Sequence, residues 1–150
     1  MFHDWLMEML ENDLVKLKNE INLYENEKDI WIIRGEIANS AGNLCLHLLG
    51  NLNHFIGHII GGTGYQRNRD LEFSDKNVSR SELNNRIDAV REVVKKSLPG
   101  VKESDLNKPF PDKMGGQIRE YGYILIHITN HFNYHLGQVN YHRRLIAGKK

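Results

Sequence analysis

All three prolines of the chain fall between residues 99 and 111. Proline removes a backbone donor and clashes with the preceding helical turn. Helices are therefore free to run long on either side of that region. The flanking residues use that freedom. In "HDWLMEMLENDLVKLKNEINL", residues 3–23, apolar side chains stand at Trp5, Leu6, Met9, Leu10, Leu14, Leu17 and Ile21. These steps of three and four predict a helix with one buried face.

Ser40 or Asn39 can cap a second helix over residues 41–60, "AGNLCLHLLGNLNHFIGHII". Its internal glycines at 42, 50 and 57 each cost about 1 kcal/mol relative to alanine. Packing must compensate, and glycine serves where a neighbouring group has to come close. "GGTG" at 61–64 ends this helix, and "YQRNRDLEFSDKN" reads as a charged loop. Ser79 and Glu82 form an S-x-x-E capping box that opens a third helix to about Ser97, with Leu83, Ile87, Val90 and Val94 on its apolar face. Residues 98–117 form a long connection, and a fourth helix follows over about 118–146. No strand pattern stands out. The expectation is an all-α four-helix bundle, one domain over residues 1–150.

The charges nearly cancel, with 20 basic and 19 acidic residues, so neither nucleic acid nor an anionic membrane is an expected partner. No apolar run approaches the ~18 residues of a membrane span. Asp4, Glu8, Glu11 and Asp13 stand where a secretory signal would be basic and then apolar. Cys45 is the single cysteine, so no intrachain disulfide can form. A cytoplasmic location is the expectation.

The fourth helix carries "HITNHFNYHLGQVNYH", residues 127–142. At 100° per residue His127, His131, His135 and His142 lie within a strip about 80° wide, bordered by Leu125, Phe132, Leu136 and Val139. Histidines four apart sit one turn apart on one face and can grip one metal ion. The second helix adds His47, His54 and His58. Inward imidazoles on two facing helices are how bundles build metal sites, and neutral imidazoles favour zinc, nickel, copper or iron. Two ligands from one helix and one from the other would leave coordination positions open, as a catalytic ion needs. No H-E-x-x-H occurs, which disfavours a metalloprotease of that kind.

"NHFNYHLGQVNYHRRL" at 130–145, together with "NSAGNLCLHLLGNLNHFIGHIIGGTGYQRNRDLEF" at 39–73, resembles the DinB/YfiT-like superfamily of small helical bundles. The likeness covers nearly the whole chain and is nearest to a branch marked by H-L-x-G-N-L, R-x-R-D-x-E-F and H-x-x-x-H-x-G-Q segments. It implies a metal triad of His47, His131 and His135, holding zinc, nickel or a similar divalent ion. It also implies a bundle with a long crossover before the last helix, and a homodimer. Characterised relatives use the metal to activate a low-molecular-weight thiol, while others are described as metal-dependent hydrolases.

Around that triad, His127 is one turn from His131 and can orient a small-molecule substrate. Gln138 can hydrogen-bond a ligand histidine, and Asn51 lies one turn from His47. His54 is a further candidate for substrate contact or support of the ligands. Arg67 and Arg69 offer bidentate contact to a carboxylate or thiol cofactor, or else pair with Asp70 or Glu72 in a solvated loop. His54, His58, His127 and His142 also have a purely structural reading. Cys45 points about 200° away from His47 and reads as packing. Glu120 lies about 16 Å along the axis from His131, too far to be its ligand or base. Two functions are expected from this pattern. One is a metal-dependent enzyme, a thiol S-transferase or hydrolase. The other is a non-catalytic dimeric bundle that binds metal or ligand in a stress-response or interaction role.

Overall fold

The computed structural model describes residues 1–146. Helix α1 spans Phe2–Leu23 and buries Leu6, Leu10, Leu14, Leu17 and Ile21. Trp5 and Met9, expected on the same face, are instead 63% and 53% exposed. Each precedes a buried leucine by one residue, which places it 100° round the helix and outside the contact.

A short 3-10 turn, Glu27–Trp31, leads toward α2, Ala41–Leu52. Ser40 caps α2 as expected, its hydroxyl accepting the Asn43 N–H at 3.1 Å. Every residue of α2 is buried. The helix does continue to residue 60, but Asn53–Ile60 widens into a π-helix. The Gly61 N–H there reaches back five residues to the Ile56 carbonyl at 2.9 Å.

The segment expected to be a charged loop contains a helix, α3, Arg69–Ser74. The Asn68 side chain accepts the Leu71 N–H at 3.3 Å, and Asp70 and Glu72 occupy the first turn. Acidic residues there complement the exposed N–H groups of the helix start. Helix α4, Arg80–Ser97, buries Leu83, Ile87, Val90 and Val94 as the spacing predicts. Only half of its expected capping box is used. Ser79 accepts the Glu82 N–H at 3.1 Å, while the Glu82 carboxylate takes the Arg86 guanidinium at 2.7 Å.

The connection after α4 holds an antiparallel hairpin that the sequence pattern did not suggest. Strand β1, Pro109–Met114, pairs with β2, Gln117–Glu120. Gly115 and Gly116 turn between them with φ of 58° and 79°. A two-residue hairpin loop with both residues at positive φ matches the twist of the strands. Prolines 109 and 111 are tolerated because a two-stranded sheet has nothing but edges. Helix α5, Tyr121–Ile146, therefore starts three residues later than expected.

The four long helices form a bundle in which α1 touches α4 and α5, and α2 touches α4 and α5. Helix α2 is thus diagonal to α1, with α3 and the Glu27–Trp31 turn covering its remaining sides.

His142, near the end of α5, is buried between two partners. Its Nε2 lies 2.8 Å from the Ile32 carbonyl and its Nδ1 2.6 Å from the Tyr24 hydroxyl. A carbonyl only accepts, so Nε2 carries the proton and Tyr24 donates to Nδ1. Burial lowers the pKa of His142, the hydrogen bond to Ile32 offsetting this only in part. The unfolded chain regains an ordinary histidine, with a pKa near 6.5, and so takes up a proton that the folded chain resists. Stability is expected to be flat above about pH 7 and to fall as pH drops through that value toward the lower folded pKa. Urea unfolding from pH 8 to 5 measures this, and His142→Gln is expected to make the slope shallower, without removing it, while lowering stability throughout.

Candidate metal centre

His47 projects from α2, and His131 and His135 project from α5, one turn apart. One ring nitrogen from each lies within 4.8 Å of the other two. The ring centroids are 4.9 Å apart for His47 and His131, 5.3 Å for His47 and His135, and 4.6 Å for the two α5 rings. All three pairs are nearly perpendicular, edge toward face, which is how three imidazoles turn their nitrogens toward one point.

Each ring's environment holds it neutral or orients it. Burial, followed by the neighbouring histidines, lowers the His131 pKa to about 4. Burial also lowers that of His135, against a hydrogen bond to Gln138 that works the other way. Neutral imidazoles keep a lone pair available, the form in which histidine binds a metal. Gln138 Oε1 lies 2.6 Å from His135 Nδ1 and leaves Nε2 free.

His47 is oriented by a carboxylate. Its Nδ1 is 2.9 Å from Glu72 Oε1, both side chains being more than nine-tenths buried. Arg67 grips the same carboxylate with two N–H groups, Nε to Oε2 and Nη2 to Oε1, each at 2.9 Å. Burial would raise the Glu72 pKa, but the hydrogen bonds from His47 and Arg67 outweigh it and hold the group below the usual carboxylate range. An ionised carboxylate only accepts, so His47 keeps a proton on Nδ1 and turns its Nε2 toward the other rings. That Nε2 faces His131 Nε2 at 3.1 Å. A carboxylate behind a histidine fixes its tautomer and raises its basicity as a ligand.

The backbone makes room for this arrangement. A Cβ on Gly50 would stand 2.0 Å from Glu72 Oε2, so α2 needs glycine there. One turn before His47, the buried Asn43 amide donates to the carbonyls of Glu72 at 3.0 Å and Asp75 at 2.8 Å. Its oxygen accepts from Ser40 and Lys76. Asn43 thereby fastens Glu72 and the end of its helix to α2.

The other sequence candidates are distributed around this centre. His127 is exposed and stacks over His131, with centroids 6.4 Å apart and planes 14° apart. Asn51 is buried one turn beyond His47. Arg69 covers the Phe73 ring at 5.2 Å, and that ring packs on His47 at 4.9 Å. His54 points elsewhere, its Nε2 2.7 Å from Asp112 on the hairpin. His58 lies beside it, rings 6.1 Å apart. The Cys45 thiol is fully buried and pushed up to about 12 by that burial, which suits packing. The sequence reading places Glu72 only as a loop acid that pairs with arginine. The available signal was Asn68 as a helix cap ahead of Asp70 and Glu72, together with an unexplained glycine at position 50.

A helical bundle with three convergent imidazoles belongs to the class of proteins able to hold a single metal ion between helices. The family model described as "Protein of unknown function (DUF1572)" matches residues 6–150, and the chain belongs to that family. No curated protein matches the chain.

Gly50→Ala is expected to expel the Glu72 carboxylate from its contacts and lower stability by about 3 kcal/mol, the scale for breaking a buried ion pair. Denaturant unfolding checks the size, and faster hydrogen exchange in residues 69–74 checks the location.

Proposed function

We propose that His47, His131 and His135 hold a divalent transition ion, zinc or nickel, in a site with open coordination positions. The convergence of three imidazole nitrogens within 4.8 Å carries this reading. The donor set suits such ions better than magnesium or calcium, which prefer oxygen ligands. When bound, the ion lowers the pKa of a coordinated thiol or water and supplies a nucleophile near neutral pH. The resemblance to DinB/YfiT-like bundles favours a low-molecular-weight thiol, making the activity a thiol S-transfer to a small electrophile, with hydrolysis as the variant that uses water.

The chain's own residues define the rest of the task. Glu72 and Arg67 orient His47, and Gln138 orients His135. Both Glu72 oxygens are engaged, so this carboxylate is a positioning group and does not serve as a base. His127, exposed and stacked on His131, is a candidate to orient a substrate. The engagement of Glu72 also favours a second reading, a dimeric bundle that binds its ion without turnover.

Elemental analysis of the tag-free protein is expected to find about one transition ion per chain, lost in His131→Ala. Glu72→Gln is expected to weaken binding roughly 10- to 100-fold, the usual effect of removing a partner behind a metal-ligating histidine. Chelator competition measures it. Loaded protein is expected to join a small thiol to a model electrophile such as 1-chloro-2,4-dinitrobenzene. Retention of the ion without turnover of any thiol or ester would select the second reading. Absence of stoichiometric metal after incubation with zinc, nickel and manganese would overturn both.

A further inference from the structure

Beside the histidine triad, a cleft of about 810 Å³ runs between the C-terminal half of α5 and residues 34–39. Its volume lies in the range of small-molecule sites, roughly 300–1,000 Å³. Ile37, Leu44, Tyr134, Tyr141 and Leu145 give it apolar walls. Leu44 is buried, whereas Tyr141 and Leu145 are 66% and 70% exposed, a costly way to leave large apolar side chains. His135 lines the cleft too, with Gln138 beside it. The cleft therefore opens on one of the three convergent imidazoles.

The rim carries one further feature. Arg34 lines the cleft and has no ion-pair or hydrogen-bond partner among the described residues. Glu36 shares the rim. An arginine left without a partner at the mouth of an apolar cleft is suited to a planar anion such as a carboxylate.

We propose that this cleft binds an organic monoanion with an aromatic or aliphatic body, its carboxylate toward Arg34 and its body reaching His135. Delivery of a reacting carbon to a metal-activated nucleophile rests on the function proposed above, whereas binding in the cleft does not. The substrate class of the site is then an apolar carboxylic acid and not a sugar, a nucleotide or a polycation.

The probe is 2-naphthoate, with 2-naphthamide as its neutral counterpart, titrated into metal-free protein and followed by NMR. Saturable binding of one naphthoate per chain is expected, with shifts of the His135 ring protons. Leu145→Glu is expected to weaken it about tenfold by placing a charge in the apolar wall. Wild type is expected to prefer the acid over the amide by roughly threefold, the size of an exposed ion pair. That preference should vanish in Arg34→Gln. Met9→Glu, on the exposed side of α1, is expected to change nothing. Binding that ignores Leu145→Glu, or that leaves the His135 ring unshifted, would overturn the proposal. So would a wild-type dimer that excludes naphthoate and is split by Leu145→Glu, because a second copy would then occupy the cleft. Failure to retain metal leaves these titrations unaffected, which separates the two ideas.

Discussion

No residue of α2 faces water, and a helix without a solvent face must be covered on every side. Two sides are met by α4 and α5. The others are met by pieces too short to stand alone, the Trp31 turn and α3, and each settles where α2 has a glycine. The Trp31 ring lies where a Cβ on Gly42 would be, at 2.6 Å, and the Glu72 carboxylate does the same over Gly50. The loss of helix propensity at those glycines is offset by close contact. One of those contacts is apolar, and the other brings a charge to the back of His47.

That charge can stay inside because it is met by donors. Removing a carboxylate from water costs several kcal/mol unless its lone pairs are satisfied. Here Arg67 and His47 satisfy them, and Asn43 holds the carbonyls of Glu72 and Asp75. His47, inherently a pH-sensitive group, is turned into a rigid directional one with a defined tautomer. The two histidines of α5 reach a similar condition by other means, His135 through Gln138 and His131 through burial among its neighbours. Three different local solutions thus turn an imidazole nitrogen toward one point.

The long helices were legible because their apolar residues repeat at helical spacing over many turns. Trp5 and Met9 mark the limit of that reading, since the period gives a stripe but not its edges. The hairpin escaped it because Pro109 and Pro111 argue against a strand, and only Gly115 and Gly116 hinted at the turn. The α3 helix escaped it because six residues hold less than two turns, too few to show a period. The histidine spacing gave a metal-binding pattern, but selecting His47 over His54 and His58 needed the resemblance. In the structure His54 is held by Asp112, on a hairpin the pattern did not reveal. Glu72 is 25 residues from His47 in sequence, and no local rule connects two such positions.

The short length of α3 also separates the site into parts of unequal durability. An isolated helix of six residues has no stability of its own, whereas amides in a helix enclosed on all sides exchange only when the whole domain opens. His47 therefore belongs to the slowest-opening layer of the protein, and the carboxylate behind it belongs to one of the fastest. Local opening of residues 69–74 would leave the bundle and the backbone of all three histidines in place, while freeing the His47 ring to rotate. The alignment of the three rings is then graded by the docking of a single short helix, without any movement of the histidines' own backbone.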